Sequence, residues 1–179
     1  EGAPTMDQYA YIEAGKDTGA IYVDMAGVLK EHADEEIYYR TDHHWTSLGA
    51  YYGCTALLEA MGLQPQPLGE GTVVSEDFNG TLYSTSGVHW LTPDTMETYV
   101  EDEGVTVTVN DGASLSTHGL YVEENLQGKD KYTYFLGGNN PLYILSNPNA
   151  QTDQKLLVVR DSYSDSLAPF LSQYFSEVH

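Results

Sequence analysis

Asp42, His43 and His44 occupy three consecutive positions in the stretch Tyr39-Arg40-Thr41-Asp42-His43-His44-Trp45-Thr46, and far downstream a strand-like run ends in Asp161-Ser162. Together they supply an acid, a base and a nucleophile, in the order Asp, His, Ser. Serine is a weak nucleophile at its ordinary pKa. It needs a base to take its proton and a third group to hold that base in the right tautomer. On an extended segment, residues two apart point to the same side, which pairs Asp42 with His44 and turns His43 away. A carboxylate in that position fixes the imidazole tautomer and stabilises the imidazolium that forms on proton transfer.

Ser162 sits where a strand is expected to turn sharply into a helix. The N-terminus of a helix presents unpaired backbone N–H groups that favour negative charge. A hydroxyl held there can attack a carbonyl while its own N–H stabilises the oxyanion. Asp161 or Ser162 serving simply as an N-cap is the competing reading. Ser164 and Ser166 fall inside the expected helix. A metal reading also stands, with Asp42, His43, His44 and Asp161 as ligands, although His32, His89, His118 and His179 are scattered singly and add no readable spacing.

The elements that must carry these residues form a mixed α and β pattern. Ala20–Asp24 reads as a short buried strand, followed by a helix from Met25 to about Ala33. Ile37–Tyr39 reads as a second strand leading into the Asp42 cluster. Thr46 is the expected N-cap of a helix through Met61 with an Ala50, Cys54, Leu57, Met61 stripe. From Gly62 to Gly87 the density of Pro and Gly predicts loop. Val105–Val109 alternates with period two and ends at Asn110-Asp111-Gly112, a strand and turn, with a hairpin partner expected near Leu120–Val122. Tyr132–Leu136 and Leu142–Leu145 flank a second turn dense in Gly and Asn. The apolar run Lys155–Arg160 predicts a central strand. The following helix is expected over Tyr163–Phe175, with Pro169 inside it.

Composition narrows the classes further. The chain has 179 residues, 41% apolar and 19% charged, and it is read as one folded domain spanning residues 1–179. It begins at Glu1 rather than Met and is expected to be a fragment of a longer chain. No apolar run approaches the roughly 20 residues of a membrane span. The net charge of -20, from 27 acidic and 7 basic residues, argues against a nucleic-acid partner and against binding to anionic lipid. Cys54, the single cysteine, can form neither an internal disulfide nor a thiolate metal site alone, and its place on the helical stripe predicts burial. Tyr outnumbers Phe by 15 to 4, and Trp45 and Trp90 lie in or near expected loops, a bias that suits stacking on sugars as well as ordinary packing.

The stretch from Tyr39 to Thr46 resembles the signature of the bacterial DHHW proteins, which are similar to the SGNH-type polysaccharide O-acetyltransferases of the alginate-modifying kind. Asp42, His44 and Trp45 match the first motif, and Asp161 and Ser162 match the nucleophile motif. The likeness extends through Phe78-Asn79-Gly80-Thr81-Leu82-Tyr83-Ser84 and Phe135-Leu136-Gly137-Gly138-Asn139. The resemblance implies an α/β, SGNH-hydrolase-like three-layer αβα sheet, present in part, with the two motifs in reversed order. It also implies that the Asn139 side chain and the Gly138 N–H join the Ser162 N–H as oxyanion donors. Arg160 stands where the acetyltransferases have Gly, whose freedom would permit a tighter backbone approach.

The resulting expectation is a serine acyltransferase or esterase. His44 takes the proton of Ser162, Asp42 orients His44, and Arg40, Trp45 and Arg160 bind substrate. No cofactor and no metal are expected. The expected partners are a carbohydrate polymer as acceptor and, from the resemblance, a membrane-bound protein that supplies the acyl group. The expected location is the bacterial cell surface or periplasm, with any membrane anchor in a segment outside this chain. Two other readings remain: a non-catalytic glycan-binding module on the same fold, and a metal-dependent hydrolase.

Overall fold

The structure is a computed structural model and describes residues 10, 12, 14, 15 and 17–179. Its elements are α1 (Met25–Glu31), α2 (Ser47–Ala60), β1 (Thr72–Phe78), α3 (Thr81–Ser86), β2 (Asp94–Thr98), β3 (Thr106–Asn110) and β4 (Leu115–His118). Two 3₁₀ turns, Glu123–Gln127 and Lys131–Tyr134, lead into β5 (Leu142–Ser146), β6 (Thr152–Leu156), α4 (Ser164–Ser172) and β7 (Phe175–Val178). The main sheet has the order β4-β3-β5-β7-β6, and β1 with β2 makes a separate two-stranded ribbon. Only β6 and β7 run parallel within the main sheet, and α4 is the crossover that joins them. No described helix is long and apolar enough to cross a membrane.

Helix α2 begins where Thr46 predicts it should: the threonine hydroxyl oxygen accepts the Gly49 N–H at 3.2 Å. Its buried face is Gly49, Ala50, Gly53, Cys54 and Leu58 rather than the expected stripe through Leu57 and Met61. The two glycines explain the rotation. A Cβ on Gly49 would lie 2.3 Å from the Ile37 carbonyl oxygen, and one on Gly53 would lie 2.9 Å from the Trp45 ring. Their bare backbone therefore lets the chain before the helix fold flat against it. Ile37 and Thr46 bond across that contact, as do Tyr39 and His44, so the expected second strand is one arm of a tight loop with a single Tyr38–Trp45 bridge.

Two cores hold this arrangement. The larger joins α2, α4 and one face of the main sheet, through Cys54, Leu58, Val107, Val109, Tyr143, Leu145, Leu171 and Val178. Burying each full aliphatic side chain contributes about 1.5–3 kcal/mol. The smaller is largely aromatic: Tyr39, Phe78, Met96, Tyr132, Tyr134 and Phe135. Phe78 and Met96 come from the β1–β2 ribbon and Tyr132 from the second 3₁₀ turn, so this core fastens three distant segments under the Asp42 loop.

Several expectations are corrected. Ala20–Asp24 is not a strand: Ile21 is 75% exposed, and no strand among the described residues pairs with the segment. The expected loop from Gly62 to Gly87 contains β1 and α3, because β1 gains its partner from β2 beyond the loop. Register shifts on either side of Ser75 break the period that would have announced it. The hairpin partner of β3 is Leu115–His118, closer in sequence than Leu120–Val122. The expected central strand at Lys155–Arg160 ends at Leu156 on the sheet edge, leaving Leu157 and Val159 exposed. Helix α4 ends at Ser172, and Phe175 begins β7.

The glycine face of α2 gives a test with an inverted sign. Alanine ordinarily stabilises a helix interior by about 1 kcal/mol over glycine. Gly49→Ala should instead destabilise by roughly 1–3 kcal/mol through overpacking against Ile37 and Trp45, read as a lower urea midpoint with an unchanged m-value.

Candidate active site

The loop that carries Asp42 and His44 is held by two buried carboxylates. Asp94, at the start of β2, accepts the Arg40 N–H at 3.1 Å and the Thr41 N–H at 2.7 Å, with the Arg40 Nε at 3.1 Å and the Thr41 hydroxyl at 2.5 Å. Asp42 itself turns inward. Its Oδ1 accepts the His44 N–H at 3.0 Å, and its Oδ2 accepts the N–H and hydroxyl of Thr81 at 2.8 and 3.1 Å. This is an Asx turn rather than strand alternation, and it still brings Asp42 and His44 to one side. Gly80 makes room for it, since a Cβ there would lie 2.2 Å from Asp42 Oδ2.

The His44 ring completes the arrangement. Its Nδ1 lies 2.5 Å from Asp42 Oδ1 and its Nε2 lies 2.8 Å from Ser162 Oγ. Burial pushes the Asp42 pKa up, but bonds from the His44 ring, the Thr81 N–H and the His44 N–H outweigh it and hold the carboxyl well below the usual range. An ionised Asp42 can only accept, so Nδ1 carries the proton and the Nε2 lone pair faces the serine hydroxyl. That is the tautomer a general base requires.

Ser162 is partly exposed at the end of the coil that follows β6. Asp161 Oδ1 accepts the Tyr163 N–H at 3.0 Å in an Asx turn before α4, which leaves the Ser162 hydroxyl to His44. The Ser162 N–H has no hydrogen-bond partner among the described residues. It is therefore free to donate to an oxyanion beside its own Oγ.

The other expected site residues divide. Asn139 is exposed, and its Oδ1 lies 3.5 Å from Arg160 Nη1, which leaves its amide N–H groups without a partner among the described residues. The Gly138 N–H is directed back to the Phe135 carbonyl at 3.4 Å, so in this conformation it is engaged within the turn instead of being offered to an oxyanion. Arg160 is also taken up internally. Its guanidinium pairs with Asp165, donates to the Asp161 carbonyl at 3.2 Å and lies 4.8 Å from the centre of the Tyr143 ring. Arg40 is tied to Asp94 and to the Pro93 carbonyl. Trp45, expected as a binding surface, is 7% exposed, and its Nε1 donates to the Tyr163 carbonyl at 2.9 Å and to Ser166 Oγ at 3.0 Å. It joins the Asp42 loop to α4, because an indole N–H buried in a core needs an acceptor there.

Local sequence reading missed Thr81, Asp94 and Tyr132. Tyr132 lies flat on His44, with ring centroids 3.8 Å apart and planes 7° apart. Its hydroxyl lies 3.2 Å from the Ser162 carbonyl and 3.1 Å from Ser166 Oγ. One side chain thus fixes the plane of the base and the backbone of the serine, and its electron-rich face suits an imidazolium. The only signal was its proximity in sequence to the Phe135–Asn139 motif.

Asp42, His43 and His44 place ligand-capable atoms within 4.8 Å of one another. A cation there would have to displace existing bonds. Asp42 already accepts from four donors, both His44 nitrogens are engaged, and His43 Nδ1 lies 2.6 Å from Thr81 Oγ1. A depression of 760 Å³ between Tyr51, Phe170 and Tyr174 contains none of the three aligned residues, so volume does not mark this site.

The fold and this alignment define a protein of the α/β class that carries an Asp–His–Ser hydrogen-bonded chain. The chain belongs to the DHHW family, whose model, described as DHHW protein, matches residues 5–179. A DHHW family protein from Eubacterium siraeum DSM 15702 superposes with a TM-score of 0.72 at 28% identity, covering 89% of this chain and 55% of that one. Bacillus cereus PatB1 superposes with a TM-score of 0.62 at 21% identity, covering 80% of this chain and 53% of its own. PatB1 with a sulfonyl adduct gives 0.59 at 20%, covering 80% and 51%. The chain therefore spans about half the length of these proteins. Nothing matches it among curated protein sequences.

Asp165, 2% exposed under the serine turn, carries a pH signature. Burial pushes its pKa from an ordinary 3.8 up to about 7, with the Arg160 guanidinium only partly offsetting the shift. A raised folded-state value means that the contribution is intact below the unfolded pKa and is lost as pH rises through about 7. Urea unfolding should show the wild type losing stability between pH 5 and 8 more steeply than Asp165→Asn. Equal slopes would contradict the assignment.

Proposed function

We propose that this chain is the acyl-transferring part of a serine-dependent O-acetyltransferase or esterase that works outside the cytoplasm on a carbohydrate polymer. The observation that carries the reading is the alignment of His44 between Asp42 and Ser162, at 2.5 and 2.8 Å. The fold shared with the matched structures is consistent with it.

Ser162 Oγ attacks the carbonyl carbon of the incoming acyl group as His44 Nε2 takes the hydroxyl proton. Asp42 stabilises the imidazolium, and the free Ser162 N–H with the Asn139 amide supports the oxyanion. Collapse of the intermediate expels the donor's leaving group with the proton from His44 and leaves an acyl ester on Ser162. A sugar hydroxyl then attacks that ester while His44 takes its proton, and the acyl group passes to the sugar as Ser162 recovers its own proton. Water in place of the sugar gives hydrolysis. The acyl donor in this scheme is presented by a membrane-bound partner, as the resemblance to polysaccharide O-acetyltransferases implies.

The assignment is tested with a sulfonyl fluoride or fluorophosphonate and intact-mass spectrometry. The folded wild type should gain one adduct at pH 7–8, on Ser162 by peptide mapping, and Ser162→Ala and His44→Ala should gain none. An adduct that survives Ser162→Ala would remove Ser162 as the nucleophile. Asp42→Asn, which imposes the wrong tautomer, should slow turnover of an activated acetyl ester by about 10³–10⁴-fold. A chelator should leave turnover of the activated ester unchanged, whereas the metal-dependent alternative requires its loss.

A further inference from the structure

Arg160 immediately precedes the Asp161-Ser162 pair, and its side chain is folded inward, with 17% of it exposed. The guanidinium pairs with Asp165, buried beneath the serine turn, and lies 4.8 Å from the centre of the Tyr143 ring. Between a carboxylate and a ring face, a planar cation has little freedom to turn. Its Nη1 donates to the Asp161 carbonyl at 3.2 Å and stands 3.5 Å from Asn139 Oδ1.

Each of those oxygens is one end of a group whose other end can donate to an oxyanion. The Asp161 carbonyl and the Ser162 N–H belong to a single peptide unit. A trans peptide is planar, with its C=O and N–H pointing in opposite directions. A donor fixed on the Asp161 oxygen therefore fixes the direction of the Ser162 N–H, which has no partner among the described residues. That oxygen also accepts the Ser164 N–H at 3.1 Å, so both of its lone pairs are used. Of its two donors only Arg160 is charged. A charged donor polarises the amide and strengthens the N–H at its far end. Asn139 repeats the relation in a side chain: with Oδ1 toward Arg160, its amide N–H groups are turned away from the cation.

The peptide that follows Ser162 is held by other residues. The Tyr132 hydroxyl donates to the Ser162 carbonyl at 3.2 Å, and Asp161 Oδ1 accepts the Tyr163 N–H at 3.0 Å. The peptide that precedes it, which carries the oxyanion donor, is left to Arg160 and the Ser164 turn bond.

We propose that Arg160 is the positioning residue of the oxyanion site. From one nitrogen it aims both donors, the Ser162 N–H and the Asn139 amide, and it lends its charge to the first through the shared peptide. This rests on the transferase reading and replaces the expectation that Arg160 binds substrate.

Turnover of 4-nitrophenyl acetate tests it, in an Asp165→Asn background so that removing the guanidinium leaves no unpaired buried carboxylate. Arg160→Met keeps an unbranched apolar side chain and removes every donor. It should lower kcat about tenfold or more, short of the roughly 10²–10³-fold lost when an oxyanion donor is deleted, with KM nearly unchanged. Phenylboronic acid, whose tetrahedral adduct on Ser162 places an oxygen where the oxyanion forms, should bind more weakly by a factor that follows kcat. Arg160→Lys, a cation without the planar fork, should recover part of both. A purely structural role would lower the melting temperature without that parallel. Unchanged kcat in Arg160→Met, an effect confined to KM, or a fall in kcat with boronic acid affinity retained would overturn the proposal. An unsubstituted chain with neither turnover nor an adduct on Ser162 would instead remove the transferase reading, and this proposal with it.

Discussion

Everything around the candidate site depends on keeping one carboxylate ionised in a buried place. Asp42 is 3% exposed, and four donors from two residues, the N–H and side chain of His44 and of Thr81, meet its two oxygens. An isolated charge so placed would be neutralised by protonation. Saturation by donors prevents that, and the geometry of those donors sets the orientation of His44. The neighbouring features follow from the same requirement. Gly80 lacks a Cβ so that Asp42 can pack against it, Thr81 supplies two donors at once, and Asp94 anchors the two residues before Asp42.

The two tryptophans show how the same residue type serves opposite ends. Trp45 lies across the glycine face of α2 and hydrogen-bonds to α4, so it sets the distance between the base loop and the serine turn. Trp90 has no such seat and stands in solvent. Tyr132 mediates between these extremes, buried in the aromatic core by its ring and bonded by its hydroxyl to the serine segment. The site is thus built from packing interactions as much as from polar ones.

What the sequence made legible was local. Thr46 announces α2 because a cap acts within one turn, and Asn110-Asp111-Gly112 announces the end of β3 because Gly112 adopts a positive φ of 91°. Asp42 and His44 are readable because the bond between them spans two residues, and the turn at Ser162 because an apolar run stops there. The parts that escaped depend on partners far away. Asp94 contacts Arg40 across 54 residues, Thr81 contacts Asp42 across 39, and β1 has no clean alternation because its ribbon is bulged. The apolar run Lys155–Arg160 misleads for a similar reason: composition records that it favours strand, but not that its outer half has no neighbouring strand. Trp45 sits in the family motif, and nothing in its sequence position says that its indole points into the core.

The base and the serine are separated by 118 positions, and the serine turn is held between two strands that pair only with each other and with β5. Such a contact closes late in folding, since a long loop must lose its entropy before the contact can form. A chain folded only as far as α2 would lack Thr81, Asp94 and Tyr132 as well as Ser162, so His44 would be neither oriented nor paired. The Asp42–His44–Ser162 alignment is therefore complete only when the sheet is. If the proposed transfer reaction holds, a partly unfolded molecule carries no activated serine, and acylation is confined to the completed fold.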